Sequence, residues 1–87
     1  MTTLRKPFDG CSAPGRIARM KRSTDPLARQ CALILEGFGR TRRTEGAFYL
    51  RWCTLAPMEG EALARYWGLD LDDDWRAFRR VCRFFGL

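Results

Sequence analysis

The stretch that decides the fold is Glu61–Phe85, EALARYWGLDLDDDWRAFRRVCRFF. It reads as two short helices with a glycine-containing turn between them. In its second half Leu71, Trp75, Phe78, Cys82 and Phe85 recur at helical spacing and make one apolar stripe. Arg76, Arg79, Arg80 and Arg83 make the opposite stripe. Asp72, Asp73 and Asp74 stand at the leading end, where negative charge complements the helix dipole. Gly86 closes the segment, so the pattern predicts a last helix over 72–85.

Working back from Gly68, a helix is expected over 58–67. Met58, Ala62, Leu63 and Trp67 face inward there, and Glu61 lies one turn before Arg65. Residues 45–56 fit two periods. Phe48, Trp52, Leu55 and Ala56 share a helical face, whereas Phe48, Leu50 and Trp52 alternate as in a strand. A lone strand would have no partner, so a helix with Thr44 as N-cap is expected. Before it, the loop Gly39–Glu45 gathers Arg40, Arg42 and Arg43. Before that, Ser23-Thr24-Asp25-Pro26 is a helix start, with Asp25 as cap and Pro26 at the first helical position. Leu27, Cys31, Ile34, Leu35 and Phe38 then line one face of a central helix over 25–38.

Residues 1–22 contain Pro7, Gly10, Pro14 and Gly15 and read as a basic, largely irregular arm. Within it, a short helix from Arg16 to Arg22 would set Ile17 and Met20 one turn apart. The expected fold is therefore all-α. It is a small four-helix domain, 23–87, behind a basic N-terminal arm. The expected core is Leu27, Cys31, Ile34, Leu35, Phe38, Phe48, Trp52, Leu55, Leu63, Trp67, Trp75, Phe78, Cys82 and Phe85, with Phe84 and Leu87 exposed.

Leu63, Ala64, Trp67, Gly68 and Leu69 carry a resemblance to the helix-turn-helix DNA-binding unit. A small residue, Ala64, lets two helices cross closely, and Gly68 lets the chain reverse. The resemblance covers 61–85. It implies DNA binding and transcription regulation, with a second helix lying in the major groove. Two features depart from it. Trp75 and Phe78 come one residue later than the motif's register. The leading end of the second helix offers Asp72–Asp74 to the phosphates, which repel it. Contact would then run through Arg76, Arg79, Arg80 and Arg83, with Arg40, Arg42 and Arg43 and the basic N-terminal arm, 1–22, assisting.

The chain's charge fits such a partner. Its 87 residues carry 16 Lys+Arg against 10 Asp+Glu, a net +6. The excess lies in residues 1–22, with six basic residues and one acidic, and in the 40–43 cluster. Arginine makes planar, bidentate contacts to phosphate or carboxylate, and it also accumulates in GC-rich genomes.

Catalysis is not expected. The chain has no histidine, the commonest general base, and no glycine-rich phosphate loop follows a strand. Three consecutive carboxylates on a helix diverge by about 100° each, so no metal site is expected. Cys11, Cys31, Cys53 and Cys82 lack the paired spacing of structural zinc and read as reduced, buried thiols in a cytoplasmic protein. No cofactor and no membrane contact are expected. The partner is nucleic acid, DNA before RNA, with Arg76, Arg79, Arg80 and Arg83 as the binding residues. The alternative is an acidic protein surface met by the same cationic helix, as in short basic interaction proteins and inhibitors of phages and mobile elements. The last helix can also pair in a homodimer.

Overall fold

A helix starts where something satisfies its free N–H groups, and the residues around Asp25 do so for the central helix. The computed structural model describes residues 13–87. In it the Asp25 carboxylate accepts the Leu27 N–H at 2.9 Å. Ser23 Oγ accepts the Asp25 N–H at 3.0 Å. The helices in chain order are α1 (Ala13–Lys21), α2 (Pro26–Gly39), α3 (Glu45–Thr54), α4 (Pro57–Tyr66) and α5 (Asp74–Phe84). Among the described residues there is no strand, and no helix is long and apolar enough to cross a membrane.

Among the described residues the all-α expectation holds, and the count of four becomes five. From Ala13 the expected irregular arm is helix, while residues 1–12 lie outside the described residues. Pro14 sits in the first turn of α1, where its missing N–H costs nothing; it opens the helix and does not break it. Ala13, Ile17 and Met20 of α1 belong to the same core cluster as α2 and α5. The Lys21–Glu36 ion pair ties the end of α1 to α2.

The remaining boundaries follow local chemistry. Thr44 Oγ1 accepts the Ala47 N–H at 3.1 Å and caps α3. Leu55 and Ala56 are extended, as the chain before Pro57 favours, and α4 starts at the proline. At its head the Glu59 carboxylate accepts the Ala56 N–H at 2.9 Å. Both α4 and α5 close with a left-handed glycine. Gly68 has φ +69° and Gly86 φ +82°. The Leu69 N–H donates to Ala64 O at 2.8 Å, and the Leu87 N–H to Cys82 O at 2.9 Å. These are paired Schellman closures.

Gly68→Ala is expected to lower stability by about 1–2 kcal/mol, because an L-residue there incurs the left-handed penalty. Gly46 lies inside α3, and the space a methyl group would take there is open, with nothing within 4 Å. Gly46→Ala is therefore expected to raise stability by about 0.4–1 kcal/mol. Urea titration of both variants checks the pair of opposite signs.

α1 and α4 pack on α2, and α3 and α4 pack on α5. Phe38, Phe48, Phe78, Leu35, Leu63, Val81, Cys31 and Cys82 are the fully buried centre. Phe48 is the one buried residue of α3. Its ring lies 5.3 Å from Phe38 and 5.1 Å, edge to face, from Phe85. Met58, expected to face inward, is exposed. It sits in the first turn of α4, ahead of the Ala62–Ala64 segment that enters the core.

Two expectations about α5 are corrected. Trp75 is 60% exposed, and Phe84 is only 7% exposed. The helix begins at Asp74 instead of 72, because Asp70 draws 70–73 into a turn through the Asp72 N–H at 3.0 Å. Its buried face is then Ala77, Phe78, Val81, Cys82 and Phe84, one step round from the stripe through Leu71 and Trp75. Phe84 is buried at the same time by Trp67, with centroids 6.1 Å apart, and by Arg16 of α1 at 5.5 Å.

The cysteines divide. Cys31 and Cys82 are buried and free, as expected; Cys53 is free but exposed, and Cys11 lies outside the described residues. The Cys31 thiol donates to Ala62 O at 3.3 Å and so fastens α2 to α4. Burial, with the nearby Asp25 charge, pushes this thiol up to about 11. Alkylation of the native protein at about pH 8 is therefore expected to mark Cys53 and spare Cys31 and Cys82, since the thiolate is the reacting form. Peptide mass mapping before and after denaturation reads the difference.

Candidate nucleic-acid interface

Asp73 sets the register of the basic helix. Its carboxylate accepts the Arg76 N–H at 3.0 Å and caps α5. From that start Arg76, Arg79, Arg80 and Arg83 fall along one side of α5 and line a shallow groove of about 260 Å³. Their surroundings differ. Arg76 Nε lies 3.4 Å from Asp73. Arg79 is paired with Glu45 at the start of α3. These two guanidiniums are already neutralised.

Arg80 and Arg83 have no carboxylate partner among the described residues. The Arg80 guanidinium lies over the Trp67 ring, 4.8 Å from its centroid, a cation–π contact. Burial, and then the nearby charges of Arg16 and Arg83, hold Arg80 below the usual arginine range. Arg16 comes from α1, nearly the whole chain away in sequence. It joins Arg19, Arg80, Tyr66, Trp67 and Phe84 around a cleft of about 500 Å³.

The loop arginines lie on the other flank of α1. Arg40 is 3.5 Å from Glu36. Arg43 lies over the Phe85 ring at 5.1 Å. Both line a separate groove of about 280 Å³ with Pro14, Ile17 and Lys21. Arg42 is exposed. Arg40 and Arg43 thus line one groove and the four α5 arginines another, while Glu45, two residues beyond Arg43, meets Arg79. Arg16 and Arg19 belong to the basic arm expected to assist binding, although neither is singled out there. Their signal is the spacing Arg16-x-x-Arg19 beside Ile17 and Met20, which places both arginines on one face of a short helix.

The acidic residues open elsewhere. Asp70, Asp73, Asp74 and Glu61 line a cleft of about 410 Å³ with Trp52 and Leu71, and it shares no residue with the basic groove of α5. The connection between α4 and α5 runs from Trp67 to Asp73, about twice the three to four residues of a helix-turn-helix turn. The likeness to that unit therefore stops at Gly68, and Asp73 is occupied as a cap.

No family model, curated protein or solved structure matches this chain. Its chemistry carries the functional argument: a cleft and groove that hold Arg16, Arg19, Arg80 and Arg83 beside aromatic rings, with Asp73 and Glu45 engaged by Arg76 and Arg79.

Proposed function

We propose that this is a non-enzymatic nucleic-acid-binding protein, with a regulatory role exerted through that binding. The face is made by Arg80 and Arg83 of α5 with Arg16 and Arg19 of α1. One observation supports it above the others. Arg16 and Arg19 share a cleft with Arg80, Arg83 shares a groove with it, and no carboxylate among the described residues is paired with Arg80 or Arg83. Uncompensated like charge costs stability, and a polyanion offsets that cost when it arrives. Arginine forks suit phosphate oxygens. Arg40, Arg42 and Arg43 extend the positive surface beyond α1. The lack of histidine supports a binding role over catalysis, and the free thiols suit a reducing compartment such as the cytoplasm.

The test is a titration of the full chain against DNA and RNA at about 50 mM and 200 mM salt. Each phosphate contact contributes a slope of about −0.7 to −0.9 in log affinity against log salt. Three or four contacts thus give a slope of about −2 to −4. No binding at the lower salt overturns the proposal. Recovery of one stoichiometric acidic protein by the same face would then establish the alternative, a protein-binding adaptor or inhibitor.

A further inference from the structure

We infer that the cleft between α1 and the α4–α5 end receives an unpaired base, so that the ligand is a single strand in preference to a duplex. This rests on the nucleic-acid reading above and names its substrate class. The cleft is a wide, open hollow of about 500 Å³, with room for one flat ring laid against its wall. It is lined by Arg16, Arg19, Tyr66, Trp67, Arg80 and Phe84. A duplex is convex and is read by something that projects into its groove. Here the leading end of α5 projects Asp72 and Asp74, both exposed, which phosphates repel. A splayed base instead needs a flat platform beside positive charge.

Arg80 supplies that platform. Its guanidinium carbon lies 4.8 Å from the Trp67 ring centroid, and this contact restrains it. The same guanidinium lines the cleft, and a base stacks on such a planar cation as it does on an aromatic ring. Tyr66 stands next to Trp67 with centroids 6.3 Å apart and widens the apolar wall. Arg16 is similarly seated over Phe84 at 5.5 Å. Arg19, exposed, lines the cleft, and Arg83, also exposed, lines the groove that shares Arg80 with it; both are available to phosphates near the inserted base.

The probes are an oligothymidylate and an oligouridylate of about twelve nucleotides, a length that spans one small site, and a mixed-sequence duplex of similar length. All are titrated at the same low salt. The single strands are expected to bind about tenfold tighter than the duplex. The DNA and RNA arms separate the two sources of a single strand, and tight binding of either supports the inference. Tryptophan emission is expected to fall on binding in Trp52→Phe/Trp75→Phe, where Trp67 is the sole tryptophan. It is expected to stay nearly constant in Trp67→Phe, which keeps Trp52 and Trp75 and supplies the same readout by difference. Arg80→Lys keeps the charge but not the plane, and is expected to weaken single-strand binding about five- to tenfold with little change in salt slope.

Duplex binding as tight as single-strand binding overturns the inference and leaves the nucleic-acid reading standing. So does an Arg80→Lys variant that binds as wild type, or an unquenched Trp67. No binding of any of the three probes overturns both.

Discussion

Phe48→Ala is expected to lower the melting temperature by about 15 °C or more. Truncating a buried phenylalanine costs about 3–5 kcal/mol, and small domains hold only about 5–15 kcal/mol in total. The position makes the upper part of that range apply. Phe48 is the sole buried residue of α3, and its ring meets Phe38 of α2 and Phe85 at the end of α5. The rest of α3 reaches the core through partly buried side chains, Trp52 among them. Removing the ring leaves α3 attached mainly by Trp52 and Tyr49 against Phe78, at 6.0 and 5.7 Å, and by the exposed Arg79–Glu45 pair. A pair of that kind contributes roughly 0–1 kcal/mol. Phe48→Leu retains much of the buried area and should fall between the two. Thermal denaturation followed by circular dichroism reads all three proteins. A Phe48→Ala protein that melts within a few degrees of wild type would show that α3 is not held as described.

Arg80→Ala/Arg83→Ala is expected to weaken nucleic-acid binding about 100-fold at low salt and to flatten the salt slope by nearly one. A charge-assisted hydrogen bond of about 1.5 kcal/mol from Arg83 and a stacked base worth about 1–3 kcal/mol on Arg80 supply that loss, and the lost phosphate contact supplies the slope. The companion measurement is stability. Arg83 is exposed and its charge bears on Arg80, so Arg83→Ala alone should leave the melting temperature equal or slightly higher. Binding that falls while stability does not is the signature of charge kept for a partner. Arg76→Ala/Arg79→Ala serves as the contrast. Those guanidiniums face Asp73 and Glu45, so their loss should change affinity far less. Equal losses from the two double variants would return the binding face to the whole of the α5 stripe.

Part of the fold is legible in the sequence and part is not, for reasons that can be named. α2 is readable to within a residue because Asp25, Pro26 and the Leu27–Phe38 stripe all point to one element. The ends of α4 and α5 are readable because only a glycine is comfortable at the positive φ of Gly68 and Gly86. α1 is hidden because Pro14 and Gly15 look like breakers. Proline in a first turn is a start signal, and Ile17 with Met20 is too short a pattern to outweigh the punctuation. Trp75 follows the helical period on paper, but it stands in the first turn of α5, where the helix projects beyond the core, and stays exposed.

The site divides in the same way. Arg80 and Arg83 are visible as part of a stripe. Which arginines are neutralised is not visible, because Glu45 meets Arg79 across 34 positions of sequence. Nor is the arrival of Arg16 beside Arg80, since periodicity describes a helix and says nothing of its neighbour.

The order of helix contacts has a consequence for how the molecule comes together. α2 packs on α4 and α3 packs on α5, so the two pairings interlace along the chain like clasped fingers. A nick in the extended link at Leu55 and Ala56 would part both pairings at once, and neither piece would retain a finished core. Such a chain gains its order in one all-or-none step. The cleft is assembled from the end of α4 together with α1 and α5, the first and last of the described helices. Whatever fills it clasps those two ends together, and by mass action its occupancy protects the entire weave from unravelling.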